Sequence, residues 1–433
     1  MDILQACRGI DAFFAKPITL LFLVTGIVLT IKSRFIQFRA LPRLWQLLTH
    51  GVSHHHSEKE KMINPFHALL TAMSTTIGMG NVVGPSVAVI AGGPGALFWL
   101  VVFGFFGAVT KFTEVMLAMT LRKKLSDGNI LGGPTQYLKD FHPLLGKWYG
   151  IVTIFLFAGW SGMQANTLAS TYALEGVSPY ITGGFLAGIV FVVLLGGIKR
   201  IGEVASKLVP FMFIMYVTFA VGILVSNMAA LKAAISLIFT HVFSPCAAMG
   251  GFLGASVFSA VRIGVLRNMY ITESGLGTSS IPHAMADTDS PRDQSILAMF
   301  SVIADMILST LSGLLVIVTG IWMRGDFSNT LVYEVFKSYS PGPGKFVLLL
   351  SITLFVLTTV IGNSFNASQS FASFTKHRGL VWYYLFLCAV IFLGALVEVP
   401  LVWALMDILL VIVAVPHLIG VLVLSFKHKN LLK

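Results

Sequence analysis

Between residues 64 and 99 the chain reads NPFHALLTAMSTTIGMGNVVGPSVAVIAGGPGALFW. The stretch is apolar enough to enter a bilayer, yet Gly78-Met79-Gly80-Asn81 and then Gly84-Pro85 interrupt its centre. Inside a helix, Gly costs about 1 kcal/mol relative to Ala and Pro about 3. A helix that only anchors would not carry them. A break at membrane depth frees backbone N–H and C=O groups that lipid cannot satisfy. A neighbouring helix, a water-filled cavity, an ion or a substrate must do so, and many secondary transporters build their binding sites this way.

The rest of the chain fits that reading. It has 433 residues, 56% hydrophobic and 11% charged, with a mean hydropathy of +0.86. Soluble domains carry about 25% charged residues, so this is a polytopic membrane protein. Cys7, Cys246 and Cys388 lie far apart and suggest neither a disulfide framework nor a metal site. No cleavable signal is evident at the start. The net charge of +11 would suggest nucleic acid in a soluble protein, but here its placement reports topology.

Eleven spans are expected, near 17–31, 66–91, 96–121, 148–173, 180–198, 208–226, 250–272, 295–321, 346–372, 381–397 and 401–425. With the N-terminus outside and the C-terminus in the cytoplasm, 20 basic residues fall in inside loops and six outside. Residues 32–48 read as a basic amphipathic segment on the inner surface. His54-His55-His56 read as part of a solvated inside loop.

A second interruption, ESGLGTSSIP at 273–282, follows the apolar run 250–272. If the first span is an extra helix, the breaks at 78–81 and 273–278 fall in the first and sixth of the remaining ten. That spacing predicts a single transporter domain, all-α. An extra N-terminal helix (17–31) precedes a first repeat (66–226) and a second, inverted repeat (250–425), the LeuT-like five-plus-five arrangement. The alternative is that both are glycine-rich packing faces.

The polar residues beside these breaks are the candidates for chemistry. Freed N–H groups at Gly78, Met79, Gly80 and Asn81 suit a carboxylate, and freed carbonyls suit Na⁺. Thr75, Thr76 and Asn81 can add side-chain oxygens, or the threonines can bond back to their own helix. Gln164 and Asn166 lie two apart in an apolar helix and cannot share a face. Gln164 is expected in the cavity and Asn166 against a neighbour. Thr358 and Thr359 precede Asn363 and Asn366 in the ninth span, where the hydroxyls could complete a cation site or satisfy their own backbone. Ionisable groups inside spans are functional candidates by default. Lys111 and Glu114, three apart, are expected to pair. Arg262 and Arg267 enter the sixth helix, and Glu273 at its break couples to a cation or locks Arg267 as an inner gate. Asp305 and Asp407 stand alone in their helices, as partners for an arginine or as protonatable groups.

These residues resemble the alanine/glycine:cation symporter family. The resemblance rests on GMGNVVGPSVAVIAGGPGALFWLVVFGFFGAVTKFTEVMLA (78–118), GGPTQYL (132–138), MQANTLA (163–169), GIKRIGEVASKLVPFM (197–212), ESGLGTSSIPHA (273–284) and WALMD (403–407). It implies uptake of a small neutral amino acid, alanine or glycine and sometimes D-alanine, driven by Na⁺ or H⁺. Gly78, Gly80, Asn81, Gln164 and Tyr270 would then lie at the substrate, with Thr358 and Thr359 at sodium. The chain departs from the family pattern at Met79, at Thr272 and at Gly362-Asn363-Ser364-Phe365-Asn366-Ala367-Ser368. A Trp expected in the pocket is replaced by Asn363, which suggests a reshaped pocket, larger or more polar on one side.

The reading is therefore a secondary symporter of the bacterial inner membrane, working by alternating access. Sodium couples at Thr75, Thr358 and Thr359. Substrate binds at Gly78, Met79, Gly80, Asn81, Gln164, Tyr270 and Asn363, and Arg267, Glu273 and Asp305 serve gating or coupling. No cofactor and no nucleic acid are expected. A proton-coupled carrier is the nearest rival. An ion channel lacks a repeated filter motif here, and a membrane enzyme lacks any H-E-x-x-H, G-x-S-x-G or P-loop run.

Overall fold

The computed structural model describes residues 3–52, 62–124, 130–243, 257–324, 331–339, 342–375, 378–397, 399–428 and 431–432. The histidine run at 54–56 lies outside them. The described chain is nearly all helix. α1 (Ile3–Lys32), α2 (Ile36–Arg39) and α3 (Leu41–His50) lead into the broken pair α4 (Pro65–Thr76) and α5 (Met79–Gly92). Then come α6 (Gly95–Thr120), α7 (Pro134–Phe141), α8 (Pro143–Ala173), α9 (Pro179–Leu195), α10 (Gly197–Ser226) and α11 (Met228–His241). The second half holds α12 (Val257–Thr272), α13 (Ser280–Ala284), α14 (Pro291–Val318), α15 (Leu331–Tyr339), α16 (Pro343–Thr375), α17 (Leu380–Gly394) and α18 (Val399–Lys427). A two-stranded ribbon pairs Lys123–Lys124 with Ile130–Leu131.

Proline sets several helix starts. Pro65, Pro134, Pro143, Pro179 and Pro291 each open a helix, where the missing N–H is an orphan in any case. Asn64 caps α4 by accepting from Phe66 N at 2.8 Å, and Ser290 caps α14 by accepting from Asp293 N at 3.2 Å.

Among the described residues, six helices are long and apolar enough to cross a bilayer, and seven if α4 and α5 count as one bent span. α9 and α17, counted as spans from sequence, are shorter apolar helices, and the run expected at 250–272 is described only from Val257. α10 begins at Gly197 rather than near 208. Helix α11 stands where the sequence showed no span. Many large apolar side chains face outward, Trp45, Phe185, Phe239 and Phe346 among them, as a lipid-facing surface requires.

The packing brings the two halves together. α8 lies along α16, α6 against both α12 and α14, and α1 against α18. α5 packs on α12 in the opposite direction: Gly84 of α5 meets Ile271, and Gly92 meets Ala260. Both interrupted helices therefore lie side by side in the interior.

Candidate functional site

The first break is narrower than the sequence suggested. α4 ends at Thr76, α5 starts at Met79, and the two are bent by 42°. Only Ile77 and Gly78 are extended, so Gly80 and Asn81 already lie in the first turn of α5. The cause is Asn81, whose Oδ1 accepts from Gly78 N at 3.0 Å and caps the new helix start. The first N–H groups of α5 have no intrahelical carbonyl to meet.

Gly78 is required by space. A Cβ there would run into the Thr359 hydroxyl. That hydroxyl donates to Ile77 O at 3.2 Å, so it reaches the carbonyl freed by the break. Gly362, one turn along α16, is required in the same way: its Cβ would lie 2.6 Å from Ser74 Oγ and 2.6 Å from Thr75 Cγ2. Gly80 is looser, with Tyr270 Cδ1 nearest at 3.9 Å. Thr358, adjacent to Thr359, turns elsewhere. Its hydroxyl bonds back to Leu354 O at 2.8 Å and faces Met212 Sδ at 3.4 Å.

Met79 is buried at the same turn. Asn81 also reaches across the bundle. It is fully buried, and its Nδ2 donates to Asp305 Oδ1 of α14 at 3.1 Å. Thr75 Oγ1 donates to Ala72 O at 2.8 Å and also faces Glu273 Oε2 at 3.3 Å. Thr76 bonds back to Met73 O at 3.4 Å.

The second break spans residues 273–279, between α12 and α13. Glu273 takes φ +54°, and Gly275 and Gly277 take +88° and +75°, a region that favours glycine and strains Glu273. Glu273 is 2% exposed. Its Oε2 accepts from Thr278 as well as Thr75, so this carboxylate joins the two breaks. Three side chains bond the rest of the segment, and a fourth, Tyr137, braces one of them. Glu114 Oε1 accepts from Gly275 N at 2.8 Å. His417 Nδ1 meets Gly275 O at 2.7 Å, and its Nε2 meets Tyr137 OH at 2.5 Å. Tyr149 OH donates to Leu276 O at 2.7 Å. A Cβ on Gly277 would lie 2.6 Å from Tyr137 OH and would also strike His417.

Lys111 corrects the expected pairing. It does not bond Glu114, because Glu114 is turned onto the second break. Lys111 Nζ donates instead to Ser301 Oγ of α14 at 3.1 Å. It is wholly buried and within electrostatic reach of Asp305, Glu273 and Glu114. Lys111 thus shares the buried interior with three carboxyl groups, those of Asp305, Glu273 and Glu114.

Tyr270 stacks edge-on to Trp160 with ring centres 5.5 Å apart, and its hydroxyl meets Met163 Sδ at 2.9 Å. Gln164, one turn beyond Trp160, is buried with Oε1 unpartnered. Asn166 faces away, donating to Gly394 O at 3.0 Å and Val397 O at 2.6 Å. Asn363 lies one turn past Thr359, 1% exposed, with Oδ1 unpartnered. Arg267 lines a cavity of about 220 Å³ with Arg262, Tyr270 and Asp407, while the contacts of Glu273 run to Thr75 and Thr278.

The structure thus gathers Thr75, Gly78, Gly80, Asn81, Tyr270, Glu273, Asp305 and Thr359 around the two breaks. Thr358 points away, and Arg267 stands in the cavity beyond Tyr270. Sequence reading missed Tyr137, Tyr149, His417 and Gly362. A histidine in an apolar helix was the available signal for His417. Nothing local marked its partner 280 residues earlier.

The model of the Sodium:alanine symporter family matches residues 2–433. The sodium/alanine symporter AgcS of Methanococcus maripaludis is 34% identical, covering 98% of this chain and 95% of that protein. A probable sodium/glutamine symporter, GlnT of Bacillus subtilis, is 28% identical over 98% of this chain and 89% of its own length. Among solved structures, that of MhsT in complex with L-phenylalanine superposes with a TM-score of 0.61. It covers 87% of this chain and 90% of that one at 14% identity, a likeness of fold.

Proposed function

This chain belongs to the sodium:alanine symporter family, and from that premise we propose that it imports a small neutral amino acid with sodium by alternating access. Membership makes it a transporter and not an enzyme, and the MhsT likeness makes the fold LeuT-like. The halves 66–226 and 250–425 are read as inverted repeats, supported by the antiparallel contact of α5 with α12.

The observation that carries the proposal is the meeting of Thr359 Oγ1 with Ile77 O at the first break. Hydroxyl and freed carbonyl are hard oxygen donors, and sodium would enter between them with Thr75 beside it. The substrate carboxylate meets the exposed N–H groups that open α5 at Met79 and Gly80. Its ammonium takes carbonyls of the second break, with Gln164 near. Tyr270 and Trp160 close over the side chain. Glu273, bonded to both breaks, transmits occupancy of one to the other, and Arg267 with Asp407 lies on the entry side. The outside N-terminus and cytoplasmic C-terminus follow the loop charges. The family name speaks for alanine, while a probable sodium/glutamine symporter among the relatives speaks for a wider range of neutral amino acids.

Binding tests this directly. Purified protein titrated calorimetrically with L-alanine, D-alanine and glycine should release heat in NaCl and not in KCl. Equal binding in both salts would remove sodium from the site.

Proton coupling is the second reading, and the Lys111 cluster with its three buried carboxyls favours it. Uptake driven by a pH gradient with no sodium present would select it.

A further inference from the structure

Four polar atoms in the C-terminal half of α16 are buried without a hydrogen-bond partner: Asn363 Oδ1, Ser364 Oγ, and both Oδ1 and Nδ2 of Asn366. Asn366 is 0% exposed. Burying an amide with nothing to bond is costly, and a fold retains such groups where something else completes them. Residues 359, 362, 363 and 366 follow the three- and four-residue spacing of one helix face. That face lies on the first break, through Thr359 on Ile77, and on the last turn of α4 leading into it, through Gly362 on Ser74 and Thr75. A further unpartnered amide oxygen, Gln164 Oε1, comes from α8, which packs along α16.

We propose that the transported amino acid carries a polar, uncharged side chain, an amide or a hydroxyl, which Asn363 and Asn366 hold. The proposal rests on the symporter reading above and names the substrate class for the same site. The methyl of alanine or the hydrogen of glycine would leave both amides unsatisfied. α16 itself offers a carboxylate or ammonium no counter-charge, since its one ionisable residue, Lys345, is at its far end. An amide donor and acceptor, by contrast, match a side chain that both accepts and donates.

The test uses isosteric pairs in proteoliposomes of the full chain under an inward Na⁺ gradient: threonine against valine, asparagine against leucine, with alanine alongside. In at least one pair the polar member should have kcat/KM at least about tenfold above its apolar isostere. That ratio should fall toward one in Asn363→Ala and in Asn366→Ala, and Asn363→Ser should restore part of it. Competition between the isosteres on wild-type protein decides the question if a variant does not fold. Equal handling of polar and apolar isosteres, with Na⁺-driven alanine uptake intact, would overturn this proposal and leave the symporter reading standing. A ratio unmoved by both alanine variants would also overturn it. Absence of Na⁺-driven uptake for every amino acid tried would overturn both.

Discussion

Asn81 and Asp305, 224 residues apart, are joined by a 3.1 Å hydrogen bond inside the bundle. The same Asn81 side chain caps Gly78. One amide therefore sets the start of α5 and holds it to α14. Asn81→Ala should abolish transport and cost about 2–4 kcal/mol of stability, since it uncaps a helix and strips a buried carboxylate of its donor. Thermal unfolding of the purified variant, read beside uptake, checks both halves of this.

Gly78 and Gly80 looked equivalent in the sequence and are not. A Cβ at residue 78 strikes Thr359, while one at residue 80 finds its nearest neighbour at 3.9 Å. Gly78→Ala should lower the melting temperature by several degrees, about 1–3 kcal/mol of overpacking. Gly80→Ala should shift it far less. A comparable drop in both would contradict the placement of α16 against the break.

The two threonines of α16 should separate in the same way. Thr359→Ala removes the hydroxyl on Ile77 O and should raise the half-saturating Na⁺ concentration at least about tenfold, the loss of roughly 1.4 kcal/mol. Thr358→Ala removes a hydroxyl bonded within its own helix and should raise it less. Sodium titration of uptake distinguishes them.

At the second break, Gly277→Ala should be the most damaging glycine substitution. It combines a backbone at φ +75° with collisions at Tyr137 and His417. Glu114→Gln keeps an oxygen for Gly275 N–H and should fold, whereas Glu114→Ala should unfold at a lower temperature. Differential scanning fluorimetry of the three variants orders them.

Outside the membrane, Asp140 holds the end of α18 through His428 at 2.8 Å and Lys427 at 3.0 Å. The His428 hydrogen bond, aided by Lys427, keeps its carboxyl below the usual 3.8. A lowered folded pKa contributes stability above the unfolded pKa and loses it as pH falls through the folded one. The contribution should therefore be complete at neutral pH and fade below about pH 4. The group is one-third exposed, so Asp140→Asn should cost under about 1 kcal/mol. Acid unfolding curves of the two proteins should converge at low pH.

How far the sequence carries can be seen at these residues. Both breaks were legible because Gly-x-Gly inside an apolar run has few other uses. Asn81, Glu273 and Asp305 were legible as buried polar groups, but their meeting was not, because it depends on three helices packing. Thr358 and Thr359 could not be told apart, since neighbours on a helix point about 100° apart and only packing decides which one faces inward. Lys111 and Glu114 had the right spacing to pair, yet packing turns Lys111 onto Ser301 of α14 and Glu114 onto the second break. α9 and α17 read as full spans because their flanks are apolar, while their helices stop sooner.

Uptake of radiolabelled amino acid into proteoliposomes tests the central claim most directly. An inward Na⁺ gradient is compared with K⁺ in its place at fixed pH, using alanine and the threonine and asparagine of the polar panel. The account predicts saturable uptake that requires Na⁺ and weakens in Thr359→Ala. Uptake that ignores Na⁺, or that follows only a pH gradient, would contradict it.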